Sequence, residues 1–175
     1  IKFFSYLDME IFKIEKLNTH GGSIRLFVQH SNGNLQVHNS VNEYIENEKY
    51  LGNKNLYDEF GTNISKMVRD FERKLRILKN DGFRIAGYAA PAKASTLLGF
   101  ANIGRETIEY IVDDNPMKQG HFLPGTGIPI VSSSVMDQNP PEFLVILAWN
   151  LENMIREKLS DLILNGTKLL VPFKN

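Results

Sequence analysis

Six consecutive apolar residues, Phe143-Leu144-Val145-Ile146-Leu147-Ala148, constrain what this chain can fold into more than any other feature. A strand wetted on one face alternates apolar and polar residues, whereas one that is apolar at every position is covered on both faces. That is the environment of a strand in a parallel sheet with helices above and below it. The neighbouring sequence supplies the other parts. Arg84–Ala89 reads as a strand, Lys93–Ala101 as a helix, and Thr107–Val112 as a strand ending in Asp113-Asp114. Ile128–Val131 reads as a short strand and Ser132–Asp137 as a short helix. After the apolar run, Leu151–Leu164 is an amphipathic helix ended by Asn165-Gly166, and Lys168–Val171 is a last strand. This βαβαβ order predicts an α/β fold, a parallel sheet with helices on both faces. Ligands of such sheets lie beyond the carboxyl ends of the strands.

The first 80 residues follow another pattern. Met9–Leu17 alternates apolar and polar residues, Asn18 to Gly22 reads as a turn, and Ser23–His30 is a second strand, so a β-hairpin is expected. A polar loop, Ser31–Asn39, leads to a short charged helix at Val41–Lys49. Leu56–Lys79 carries a stripe of Leu56, Phe60, Ile64, Met67, Phe71, Leu75 and Leu78, the spacing of a long amphipathic helix. That stripe either packs across a domain edge or forms the seam of a homodimer. Gly82 is suited to a left-handed cap at its end.

Composition excludes several classes. Lys plus Arg balances Asp plus Glu, 20 against 20, so no global field draws in nucleic acid or an anionic membrane. Without cysteine there are no disulfides, no thiol catalysis and no Cys-based zinc site, and the four histidines have no metal-ligand spacing. No apolar run reaches the ~18 residues of a membrane span, and no signal peptide is visible. A cytoplasmic protein is expected. The chain begins with Ile, inside what reads as the tail of a helix, and we expect it to be a fragment lacking an amino-terminal part.

Five segments carry candidate chemistry. Gly87 to Thr96 joins a strand to a helix, and its small residues Ala90, Pro91 and Ala92 leave the backbone open to a ligand. The helix start attracts an anion, with Lys93 adding charge and Ser95 and Thr96 hydroxyls. The segment is neither a dinucleotide fingerprint nor a P-loop; position and composition agree on anion binding, and a plain tight turn is the alternative. Asp113 and Asn115 follow the second strand, where nucleotide-binding α/β folds place a carboxylate on a ribose hydroxyl; a solvated turn is the alternative. The Gly/Pro-rich connection Met117–Pro129 offers Lys118, Gln119 and Thr126 to a polar ligand, or is a surface crossover. Trp149 and Asn150 end the apolar run. Asn150 is placed to cap the next helix, and Trp149 either stacks on a base or closes the core. His20, at the hairpin turn, is solvated or lies at an active-site rim.

Taken together, these segments resemble the carboxy-terminal part of the S-adenosylmethionine-dependent sugar C-methyltransferases. The matching stretches are Thr19 to Arg25, Gly87 to Lys93, Val112 to Gly120, Leu123 to Pro129 and Leu147 to Leu151, in the family's order. The resemblance implies a Rossmann-like domain over residues 81–175, which helps to hold a nucleotide-linked keto-sugar. It implies that residues 1–40 are the remnant of a class I methyltransferase domain, closed by the hairpin, with 41–80 a helical connector. His20 is then a catalytic candidate, while the donor-binding glycine motif, a Glu-His pair and a zinc region belong before Ile1. S-adenosylmethionine is the cofactor of the parent protein, and this chain alone is expected to be inactive. Ala89 stands where the family more usually has Gly, and Ala94-Ser95 where it has Gly-Asn. The competing reading is a nucleotide- or NAD-binding module without methyltransferase activity.

Overall fold

In the computed structural model, residues 1–173 are described, except for the side chain of His20. They form two compact units, Ile1–Phe60 and a second from Gly61 onward.

The first unit opens with one helical turn, α1 (Lys2–Ser5), followed by the expected hairpin of β1 (Met9–Leu17) and β2 (Ser23–His30). The strands are antiparallel, in register from Met9 opposite His30 to Leu17 opposite Ser23. The register slips between Ile11 and Lys13, so Phe12 is an extra residue whose carbonyl accepts the N–H of His38 at 2.7 Å. Ser40 starts α2 (Ser40–Glu48), and its hydroxyl accepts the N–H of Ile14 at 3.0 Å, tying the helix to β1.

α3 (Lys54–Asn80) carries the long apolar stripe. Its second half is core: Phe71 and Leu75 are buried, with Val68 beside them, and Ile64 and Leu78 pack against the same cluster. Phe60 and Met67 remain exposed. The helix ends as the sequence requires. Gly82 has φ +87, its N–H reaches the Lys79 carbonyl, and Phe83 N–H reaches that of Leu78.

Five parallel strands follow: β3 (Ile85–Tyr88), β4 (Ile111–Val112), β5 (Ile130–Val131), β6 (Phe143–Ile146) and β7 (Lys168–Leu170). Their spatial order is β5-β4-β3-β6-β7. β3 is central, with Ile85 opposite Phe143 and Gly87 opposite Ile111. Alternate residues face opposite layers. Ile85, Ile111, Val145 and Leu147 join α3 and the helix α4 (Ala92–Phe100) on one side. Ala86, Tyr88, Leu144 and Ile146 meet α5 (Ser133–Gln138) and α6 (Glu152–Lys158) on the other. Gly87 is required at the centre: a Cβ there would lie 2.8 Å from Ile111 Cγ1 and 2.9 Å from Leu147 Cδ1.

Four local expectations are corrected. Thr107 and Ile108 are not strand, because both N–H groups turn back to the Gly104 carbonyl. The helix expected over Leu151–Leu164 is interrupted at Leu159 (φ −100°, ψ 20°) and resumes as α7 (Ser160–Leu164). Asn150 does not cap α6: Trp149–Leu151 is a 3-10 turn, and no side chain caps the helix after it. The Met117–Pro129 connection is also more regular than its composition suggests. Gly120 N–H donates to Ile130 O, Ile130 N–H to His121 O and Leu123 N–H to Ile128 O, so it runs antiparallel along β5 and covers that edge.

Candidate functional site

The sheet order fixes where a ligand would sit. From β3 the chain moves outward to β4 and β5, then crosses back to β6 on the other flank of β3. Beyond the carboxyl ends of β3 and β6 lies the switch-point crevice in which open α/β sheets bind ligands. The β3–α4 turn forms one wall, and the 3-10 turn after β6 forms the other.

The β3–α4 turn is held under strain. Ala89 has φ +68, a left-handed conformation that costs a residue with a Cβ roughly 1–2 kcal/mol. Its N–H donates to Val112 O at 2.7 Å, and the next N–H, of Ala90, donates to Asp113 Oδ2 at 2.7 Å. Pro91 precedes α4 and has no side-chain acceptor; Ala94 N–H turns back to the Pro91 carbonyl at 2.9 Å, and no side chain caps the N–H groups of Ala92 and Lys93. Ala92 and Thr96 are exposed there, and Ser95 is half-buried.

Asp113 is the keystone of the β3–β4 flank. It is buried, and besides Ala90 it accepts the N–H of Asn115 at 2.9 Å and the ammonium of Lys118 at 3.0 Å. Lys118 also donates to the Ala90 carbonyl, and Gln119 Nε2 to the Asp113 carbonyl. Burial pushes the Asp113 carboxyl up, but the two backbone N–H groups and the Lys118 ammonium outweigh it and hold the pKa below the usual Asp value. Asn115 closes the turn by accepting Met117 N–H at 3.0 Å. Ala90, Asp113, Asn115, Lys118 and Gln119, read separately from the sequence, thus form one bonded cluster.

Tyr88 and Lys158 form a neighbouring group that sequence reasoning missed. Tyr88 donates its hydroxyl to Asp114 Oδ2 at 3.1 Å, and Lys158 Nζ approaches the same oxygen at 2.6 Å. Burial raises the Tyr88 pKa, while the bonds to Asp114 and then Tyr88 raise that of Lys158. A lysine 44 positions beyond Asp114, on an amphipathic helix, left no sequence signal of this pairing.

The β3–β6 flank differs in charge. Lys93 leaves the first turn of α4, hydrogen-bonds the Asn150 side-chain oxygen across the crevice, and sits 4.0 Å from the centre of the Trp149 ring. Trp149 in turn meets Phe173 edge-on, ring centres 5.3 Å apart. Burial lowers the Lys93 pKa. Lys118 and Lys158 are each neutralised by a carboxylate, whereas Lys93 forms no salt bridge among the described residues. A half-buried cation held by a neutral amide and a π face is the arrangement that an incoming anion relieves.

Two candidates are not among the residues that build this edge. Thr126 is in the turn that precedes β5, at the opposite, amino edge of the sheet; its hydroxyl donates to Leu123 O and accepts Ile128 N–H. His20 belongs to the other unit, in the 3-10 turn Thr19–Gly21, and its side chain lies outside the described residues. No group of three or more His, Asp or Glu among the described residues is arranged to hold a metal ion. No helix among them is long and apolar enough to cross a membrane.

Comparison with known proteins adds two findings. The family model described as C-methyltransferase C-terminal domain matches residues 18–173. The C-methyltransferase NovU of Streptomyces niveus is 30% identical over 166 residues, which is 94% of this chain and 40% of that protein. The chain therefore spans about two fifths of the length of the curated relative it matches.

Proposed function

For a chain that belongs to the family of C-methyltransferase C-terminal domains, we propose the role of acceptor-binding part in an S-adenosylmethionine-dependent C-methyltransferase that acts on a nucleotide-linked keto-sugar. The chemistry makes a keto-sugar suitable. Methylation at carbon needs a carbanion equivalent, and a carbonyl makes the adjacent C–H acidic enough for a base to remove its proton. The part we assign to this chain is positioning, with the diphosphate of the acceptor in the crevice between the β3–α4 and β6–α6 turns.

The observation that carries the reading is the Lys93 ammonium, which has no counter-ion among the described residues, in the first turn of α4, where no side chain caps the helix. The methyl donor suits the same edge poorly: it has no phosphate and a net positive charge, whereas the charge that lacks a counter-ion at this edge, Lys93, is itself a cation. We therefore assign the donor to another part of the parent protein and keep His20 of this chain as a catalytic candidate.

Titration calorimetry tests the reading. Uridine diphosphate, as a representative nucleoside diphosphate, should bind this chain, and S-adenosylmethionine should not. Lys93→Ala should weaken uridine diphosphate roughly ten- to a hundredfold, the loss of a charge-assisted contact of about 1.5–3 kcal/mol at ~1.4 kcal/mol per decade. Added salt should shrink that difference. Equal affinities for wild type and Lys93→Ala at low salt would refute it.

A further inference from the structure

Lys93 does more than supply charge, because of what it covers. Its ammonium lies 4.0 Å from the centre of the Trp149 ring. Phe173 meets that ring edge-on and the ring also packs against the core of the sheet, and the lysine lies over it. Beside the ring, residues 149–154 line an open groove of about 390 Å³, within the size range of small-molecule sites. An aromatic face next to such a groove is a stacking platform for a planar base. In this conformation the platform is taken by the chain's own cation.

Resting on the reading that a nucleoside diphosphate binds at this edge, we propose that Trp149 is the platform for the base and that Lys93 makes access to it conditional on an anion. When a diphosphate arrives at the crevice, the lysine exchanges Trp149 and the Asn150 oxygen for the phosphate oxygens, and the ring is uncovered in the same movement. The flexible four-carbon stem of Lys allows this swing without a backbone change. Lys118 and Lys158 cannot substitute, since each is tied to its own aspartate. The device selects phosphorylated nucleosides over free nucleosides: a ligand without the anion must displace the cation from the ring and gives it no new partner.

The consequence is an inversion that ordinary phosphate binding does not produce. Lys93→Ala should weaken uridine diphosphate and inorganic pyrophosphate, yet bind uridine about three- to tenfold more tightly than wild type, because the ring is bare. Trp149 is the one tryptophan in the sequence, so its fluorescence reports this face directly. Pyrophosphate and uridine diphosphate should each shift Trp149 emission in wild type. Pyrophosphate should leave it unmoved in Lys93→Ala. Trp149→Leu, followed by calorimetry, should cost uridine diphosphate about tenfold while leaving pyrophosphate unchanged. If uridine diphosphate binds wild type but Trp149 emission stays constant, or if uridine binds wild type and Lys93→Ala equally, the gate is refuted and the acceptor-binding reading stands. If uridine diphosphate does not bind wild type at all, both are refuted.

Discussion

Replacing Asp113 by Asn tests whether the carboxylate at the end of β4 is a structural group. It is buried, and its two oxygens take the N–H of Ala90 at 2.7 Å, that of Asn115 at 2.9 Å and the Lys118 ammonium at 3.0 Å. An Asn side chain keeps one acceptor oxygen and points an NH2 group at one of these donors. At least one buried charge-assisted bond is lost, and a donor is left facing a donor. Bonds to a charged group are worth about 1.5–3 kcal/mol each, and a buried unpaired donor costs a similar amount. Lys118 is partly solvated, so its share is small. The expected loss is about 2–3 kcal/mol at pH 7, a fall of about 1 M or more in the urea midpoint at unchanged slope. The sign with pH follows from the depressed pKa of Asp113. A carboxyl whose folded pKa lies below its unfolded value of about 3.9 stabilises fully above that value and loses its contribution as pH falls through the folded pKa. The gap between wild type and Asp113→Asn should therefore be constant from pH 7 to about 5 and narrow below about 4. A gap under about 0.5 kcal/mol at pH 7, or one that does not narrow in acid, would refute the role.

Two further substitutions probe the same turn and its strand. Gly87→Ala should cost about 1–3 kcal/mol, because the new methyl meets the buried side chains of Ile111 and Leu147 at under 3 Å; a change within 0.5 kcal/mol by urea denaturation would show that the sheet yields there. Ala89→Gly should reverse the usual sign of such a change and stabilise by up to about 1 kcal/mol, since φ +68 strains Ala and not Gly; a drop in thermal midpoint would contradict it.

The parallel sheet was legible because burial on both faces leaves a run such as Phe143–Ile146 with no polar position, and the hairpin because β1 and β2 alternate. Boundaries were less so. Thr107 is β-branched and is followed by β-branched Ile108, yet its N–H turns back to Gly104, a tertiary choice that propensity does not register. Asn150 has the composition of a cap, but its side-chain oxygen goes to Lys93, 57 residues away, rather than to the adjacent helix. The candidate residues at the carboxyl edge were legible as places. Their partners were not: Asp113 and Ala90 are 23 residues apart, and only the β3–β4 pairing makes them neighbours. Thr126 was grouped with Lys118 by sequence proximity alone. The chain between them runs back along β5, which carries Thr126 to the far edge.

The charge arrangement at this edge separates two uses of the same residue type. Three lysines reach the carboxyl ends of the strands; the sequence points to Lys93 and Lys118 alike and does not point to Lys158. Lys118 is bound to Asp113 and to a backbone carbonyl, and Lys158 to Asp114 beside the Tyr88 hydroxyl, so both charges are spent in joining loops to strands. Lys93 is bound to an amide oxygen and a ring, with burial lowering its pKa and the start of α4 beneath it. A cation near a helix start is opposed by the helix dipole, and a desolvated cation without a counter-ion is opposed by burial. The amide oxygen and the ring offset these costs only in part, and no counter-ion does so among the described residues. An anion placed in the crevice would meet the helix start and the ammonium together, turning both costs into attraction. Neutralised lysines therefore mark how the edge is built, and the one without a counter-ion is where we propose that it binds.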